Sequence, residues 1–515
     1  GCGDDVVRTV SMSPASDQGR LVNFNFTARN TWIFNRWQIN YEGIFRANWV
    51  ISKAQELPSS QINILDEDQF LPIIVGEAKF LRALFYFNLV KAYGGVPIKP
   101  ERIVVEGNSD NTIQPRSTRE EVYDYIERDL REALIMVNDR FNGDNFQEGK
   151  IDKGAVATLL LKVLAYQAEA GVRHVKCEQA RFVAAYLVER TRPTLREVLN
   201  FEQNYENEIN PETWAEVKAR LSLRFDTDST LSEEAVREQE LGQLLESARL
   251  YDASFPYESM WTDRGEFHSG SIFEVAHLEL RETAYSVGTS WDNELGRNGS
   301  AGVLQPNNYW RDAVLNDPRA AYIFAQGGAP TQEYLCGEQE GSLSGVQPDP
   351  VKSYALKWFQ PSCERPTSGS SNSGRNYRLF RYAEVLLFYA EALNELGDRA
   401  GSLAQLIPLL ERANRIDSRF SDGIRRNIDG IQVDSYENVR DLIWQERRYE
   451  LAFEFDRFWD IVRQGRAQEF MRAYNSGAAG FGPLWQKNFV AGINEIFPIP
   501  QQEIDISNGV VTQNP

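Results

Sequence analysis

A chain of 515 residues, 42% hydrophobic and 12% aromatic, can bury an ample core and exceeds the size at which one core keeps growing. Subdomains or a repeat architecture are therefore expected. The formal net charge of −19 argues against nucleic acid, whose phosphates need Lys and Arg, and against electrostatic docking on anionic lipid. It suits a neutral or cationic ligand.

Residues 1–28 read as a tether: polar, Ser/Pro/Asp-containing and without hydrophobic periodicity. Residues 30–53 carry Ile33, Trp37, Tyr41, Ile44, Asn48 and Ile51 at helical spacing, with Trp32 and Trp37 expected in the core. After a polar loop over 56–72, Ile74, Ala78, Leu81, Phe85, Leu89 and Ala92 form one stripe. Phe80, Leu84, Phe87 and Val90 widen that stripe, so this helix is buried between neighbours. Gly94 and Gly95 can adopt the left-handed backbone that stops a helix, and Pro97 forbids its continuation. Thr118 and Glu121 make a capping box for a helix bearing Val122, Ile126, Leu130, Ala133 and Val137. The Ala/Leu-rich run 153–170 is its antiparallel partner.

Residues 173–250 are charge-dense and read as helices near 177–190, 211–222 and 232–250. Residues 251–376 lose periodicity, grow rich in Gly, Asn, Ser, Trp and Tyr, and offer Ser271–Val275 as their best strand. A long irregular region of this kind commonly carries function. Helical order is expected again from Tyr377, through an amphipathic helix ending at Gly397 and a partner over 400–415. Residues 438–465 read as one long helix or a kinked pair. Arg447, Arg448, Glu450, Glu454, Arg457 and Asp460 alternate in sign there, a pattern of salt bridges between helices. The prolines near 498–500 imply an extended tail over 496–515. The fold class is all-α, with recurring helix pairs indicating a tetratricopeptide-like solenoid that carries one large loop-rich region. The organisation is a tether over 1–28 and a single domain over 29–515, its helical scaffold spanning 29–250 and 377–495.

Gly1-Cys2 followed by Asp4-Asp5 and a polar stretch resembles a bacterial lipoprotein after signal removal, with Cys2 acylated. No apolar run reaches the roughly 18 residues of a membrane helix. Cys336 and Cys363 lie in Gly/Ser/Pro-rich surroundings and could form a disulfide in an oxidising compartment. Four irregularly spaced cysteines argue against a zinc site, and neither a metal nor another cofactor is expected.

Three histidines, His174, His268 and His277, form no metal pair, and nucleophile-elbow and phosphate-loop motifs are missing. A glycosidase pair of carboxylates cannot be picked out from 74 acidic residues without geometry. Binding rests instead on loop aromatics. A neutral sugar offers a C–H face to Trp and Tyr rings and hydroxyls to Asn and Asp. Trp291, Asp292 and Asn293, then Asn307, Asn308, Tyr309 and Trp310, are the first candidates, with Trp261 and Phe267 beside them. The alternative role for each Trp is a hydrophobic plug under a loop.

Four blocks resemble the SusD/RagB-like family of outer-membrane nutrient-binding lipoproteins. They are the Gly76–Pro97 helix with its Phe-Leu-Arg-Ala core, the Tyr382–Gly397 helix, the Glu446–Asp460 segment, and the closing run from Pro498. Asp317-Pro318-Arg319 matches a further signal of that family. The charged 173–250 segment departs from its pattern. The resemblance implies a four-pair tetratricopeptide-like scaffold in a cell-surface, lipid-anchored protein. Such a protein captures oligosaccharide, or peptide in the RagB-like case, for a TonB-dependent SusC-like transporter and is not an enzyme. A glycoside hydrolase is the remaining alternative.

Overall fold

The computed structural model describes residues 6–8, 13–56, 70–101, 113–138, 149–168, 173–188, 252–262, 265–280, 285–287, 304–306, 314–323, 357, 375–421, 423–477 and 486–514. In chain order these form β1 (Val6–Arg8), α1 (Asp17–Val22), α2 (Thr31–Glu56), α3 (Phe70–Tyr93), α4 (Arg119–Met136), α5 (Lys153–Gln167) and α6 (Arg173–Val188). Short elements follow: β2 (Ser271–Val275), β3 (Leu278–Leu280), β4 (Tyr285–Val287), β5 (Leu304–Pro306), α7 (Ala320–Ile323) and β6 (Tyr377–Arg381). Helices then return as α8 (Tyr382–Glu395), α9 (Arg399–Asn414), α10 (Ser418–Ser421), α11 (Tyr436–Glu450), α12 (Arg457–Arg463), α13 (Ala467–Gly477) and α14 (Gln501–Ile506). Two compact units result, one of residues 1–32 and 252–495, the other of 33–251 and 496–515. No described helix is long and apolar enough to cross a membrane. The expected helices near 211–222 and 232–250 lie outside the described residues, as do residues 57–69 of the polar loop after α2. That loop ends earlier than expected, because α3 opens at Phe70 and takes Pro72 into its first turn, where a proline costs no hydrogen bond.

The unit containing α2–α6 is a series of antiparallel helix pairs. The Tyr93 hydroxyl at the end of α3 donates to the Ile33 carbonyl at 2.6 Å, and Trp37 meets Tyr93 edge-on at 5.1 Å. Gly43 leaves room for the Phe85 ring, which a Cβ there would approach to 2.4 Å. α4 packs on α3 and on α5, and α6 packs on α5. At the centre, fully buried Arg82 donates to both Asp129 oxygens at 2.7 and 2.6 Å, to Asn48 Oδ1 at 2.7 Å and to Glu101 at 2.7 Å. One guanidinium thus ties α2, α3 and α4 together. Glu127 accepts from Arg131, Gln167 and Lys176, joining α4 to α5 and α6. α3 stops as its glycines predict: Gly94 takes φ +72°, and a Cβ on Gly95 would fall 2.2 Å from the Ser117 carbonyl oxygen. Thr118 and Glu121 then form the expected capping box.

The tail departs from expectation. Its prolines are extended, yet α14 opens directly after Pro500, because a proline is tolerated immediately before a first helical turn. The Phe497 amide donates to Ala92 O at 2.6 Å, and Arg116 donates to the Thr512 and Gln513 carbonyls at 3.1 Å. Trp37 is buried as expected, but Trp32 stands 46% exposed on the outward side of α2.

In the other unit the segment read as tether is folded from residue 13 onward. Ser16 caps α1, and Asp17 accepts from the amide and hydroxyl of Thr31, capping α2 in turn. Phe24 is buried against Phe458 and Phe489 at ring distances of 5.5 and 5.2 Å. β1 pairs antiparallel with β5. No local period announces the burial of Phe24 or the β1–β5 pairing, because those partners are distant in sequence. Likewise Tyr377–Arg381, expected within the return of helical order, is a strand paired with β2 from Ser271↔Arg381 to Val275↔Tyr377. α8 and α9 form a pair, and α11 packs on both. The run 438–465 proves broken: turns over 451–456, with Phe453 at φ 62° and Phe455 at φ 74°, separate α11 from α12.

Candidate functional site

A buried network of charge ties described residues of the loop-rich region to the helices that follow it. Glu450, on the last turn of α11, accepts from Arg381 at 2.9 Å, Arg412 at 2.6 Å and Arg319 at 3.2 Å. Glu446 accepts from Arg319 at 2.8 Å and pairs with Arg426. Glu454 accepts from Arg381 and, at 2.8 Å, from Lys357. Asp317 holds Arg319 through both oxygens at 2.7 and 2.8 Å. Residues from the irregular segments (Asp317, Arg319, Lys357) and from the end of β6 (Arg381) are thereby fastened to α9 and α11.

Burial alone would raise the Glu450 carboxyl, but Arg412, Arg381 and Arg319 outweigh it and hold the group well below the carboxylate range. Burial pushes Lys357 down to about 8 against the opposing pull of Glu454. Asp460, paired with Arg447 and Arg463, is likewise held far down despite its burial. Of the alternating charges of this segment, Arg447, Glu450, Glu454 and Asp460 make salt bridges between elements, as their spacing predicts, while Arg448 and Arg457 lie over the Phe470 ring.

Trp261 lies on this network. It is 6% exposed, packs edge-on to Tyr257 at 5.8 Å, and has Lys357 Nζ 4.6 Å and Arg381 Cζ 5.3 Å from its ring centre. Its burial leaves no open face for a sugar, against the expectation that it binds ligand. Phe267 is half-buried at φ 52°, and its amide donates to Glu274 at 3.0 Å. Around it Glu266 accepts from the Asn376 amide, Glu274 accepts from the Asn376 side chain, and His277 donates its amide to Asn376 Oδ1. Burial raises the Glu266 carboxyl. Phe267 therefore sits at a polar, partly open rim.

His268 is buried, stacked on Phe255 at 4.2 Å, and its Nδ1 accepts from Gly270 N–H. Among the described residues no group of His, Cys, Asp and Glu could hold a metal ion. Cys177 is buried on α6. Trp291, Asp292, Asn293, Asn307, Asn308, Tyr309 and Trp310 lie outside the described residues, as do Cys2, Cys336 and Cys363. β5 ends one residue before Asn307. The sequence reading did not single out Arg82 or Arg319 as buried hubs; the signal was present in the Phe-Leu-Arg-Ala and Asp-Pro-Arg wording of their motifs.

Comparison with known proteins gives the frame for these features. Residues 287–515 match the model described as SusD family, and residues 4–163 match one described as starch-binding associating with outer membrane. The chain is 27% identical over 497 residues to SusD-like protein P38 of Formosa agariphila, covering 93% of this chain and 82% of that one. A laminarin binding SusD-like protein shares the fold at TM-score 0.64 and 24% identity, over 100% of this chain and 92% of the other. Surface glycan-binding protein A of Bacteroides thetaiotaomicron, solved in complex with laminarihexaose, does so at TM-score 0.65 and 18% identity, over 99% and 92%. With family models matching towards both ends of the sequence and the helical-pair fold in place, the chain belongs to the SusD/RagB-like family.

Proposed function

We propose that this protein captures oligosaccharide at the cell surface and passes it to a TonB-dependent, SusC-like outer-membrane transporter, held to the membrane by acyl chains on Cys2. The observation that carries the reading is the full-length likeness to proteins named for laminarin and laminarihexaose binding. The sequence of the irregular region supports it. Trp291 and Trp310 are the stacking rings of the proposal, and Asp292, Asn293, Asn307 and Asn308 supply partners for hydroxyls, with Tyr309 able to do either. Phe267 belongs at the margin, where Glu266, Glu274 and Asn376 gather polar groups around it.

Catalysis is not part of the proposal: capture needs affinity without bond cleavage, and release of reducing ends from a bound glycan would revive the hydrolase alternative. Calorimetry against a panel of neutral oligosaccharides and basic peptides tests the reading. Wild type should bind a glycan, and Trp291→Ala or Trp310→Ala should weaken it about tenfold or more while the melting temperature holds. Binding of peptides alone would replace glycan capture by the peptide-capturing alternative.

A further inference from the structure

α2 buries Ile33, Trp37, Ile44 and Ile51, so its core-facing stripe is complete without Phe45 and Trp49. Those two rings stand 53% and 41% exposed. Four residues apart, they share one helix face and are offset by about 6 Å along the axis. Their centroids lie 6.4 Å apart with the planes inclined by only 30°. Large exposed aromatics cost solubility and add nothing to this core, so their placement calls for a ligand.

The rim of the pair selects the ligand. Arg46 pairs with Glu42 at 2.5 Å, Lys53 pairs with Glu56 at 2.6 Å, and Lys53 Nζ lies 5.1 Å over the Trp49 ring. The centre of a protein interface is depleted of charge, and covering this face with protein would desolvate both ion pairs. A sugar laid on the rings leaves the pairs at its edge in water, where their donors and acceptors meet its hydroxyls. The paired charges cancel, which suits a neutral ligand. Two rings offset by one helical repeat match two successive units of a chain of sugars.

We propose that Phe45 and Trp49 form a second stacking platform for neutral glycan, in addition to the loop cluster. This rests on the glycan-capture reading. The platform is weak alone and acts by keeping a long polysaccharide near the protein once another segment of it is bound.

The test compares wild type, Phe45→Ala/Trp49→Ala and the ring-preserving Phe45→Tyr/Trp49→Phe. The probes are a polysaccharide panel including laminarin in affinity electrophoresis, and laminarihexaose in calorimetry, with melting temperature and gel filtration in parallel. The alanine pair should lose about tenfold in retention on the polysaccharide that wild type retains, with hexasaccharide binding at the loop cluster unchanged. The ring-preserving pair should recover most of the retention. Unchanged retention in the alanine pair, with Trp291→Ala still abolishing binding, overturns the platform and leaves glycan capture standing. Loss of self-association or of a co-purifying outer-membrane protein, with retention unchanged, also overturns it and makes the face a protein interface. If wild type is retained by no polysaccharide, the capture reading falls and the platform with it.

Discussion

Glu450 shows what a single carboxylate does on the last turn of α11. It is fully buried and faces three guanidinium groups, from β6, α9 and the segment before α7. Replacing it by Gln leaves Arg412 without its carboxylate partner in the interior, which should cost about 3–5 kcal/mol. The effect should depend on pH in a defined direction. In the folded chain the carboxyl lies below its ordinary value of 4.5, so its stabilisation is complete above that pH and is lost as pH falls towards the folded value. The gap in melting temperature between wild type and Glu450→Gln should therefore be widest above about pH 5 and shrink below about pH 4. A gap independent of pH would refute the role given to Glu450. Arg82 makes the same point without the pH argument. Arg82→Lys keeps the charge but not the planar fork that holds Asp129 through two bonds, so urea denaturation should show most of the loss of Arg82→Met. Both residues sat inside recognisable motifs, but neither composition nor period says that a charged side chain is buried. That depends on partners 47 and 131 residues away.

At the scale of elements, α3 was the most legible because all its signals are local: an apolar stripe, two glycines and a proline. The glycines differ in kind, and this is testable. Gly94 needs a left-handed backbone, whose cost to alanine is about 1 kcal/mol. Gly95 needs space, since a Cβ would strike the Ser117 carbonyl at 2.2 Å, and overpacking against backbone costs about 1–3 kcal/mol. Chemical denaturation should rank Gly95→Ala below Gly94→Ala, with Thr118→Ala losing about 1 kcal/mol through its cap. Equal midpoints for the two glycine variants would contradict the assigned contacts. β6 and the first folded residues were illegible for the opposite reason. Tyr377–Arg381 runs directly into an amphipathic helix, and its strand partner lies about a hundred residues earlier in the chain. Val22 and Phe24 show no period, and what buries Phe24 comes from α12 and the region around 487–489. Trp32 misled because an aromatic on an amphipathic helix reads as core whichever way it points.

For the molecule as a whole, repetition of helix pairs made the architecture readable, while the candidate site rests on irregular chain whose geometry no period encodes. Charge, however, is a property of the entire surface and bears on function directly. With a net charge of −19 the protein sits in its own negative field. A neutral glycan held by rings and hydroxyl contacts does not feel that field, whereas a basic peptide is drawn in by it. Screening lengths fall from about 10 Å at 0.1 M salt to about 3 Å at 1 M, so attraction spread over the surface is largely removed across that range. Calorimetry at both ionic strengths should leave the affinity for a neutral oligosaccharide within about twofold, while any basic peptide that binds should weaken at least about tenfold. A steep salt dependence for the best ligand of the panel would mean that the acidic surface, not the aromatic cluster, does the capturing.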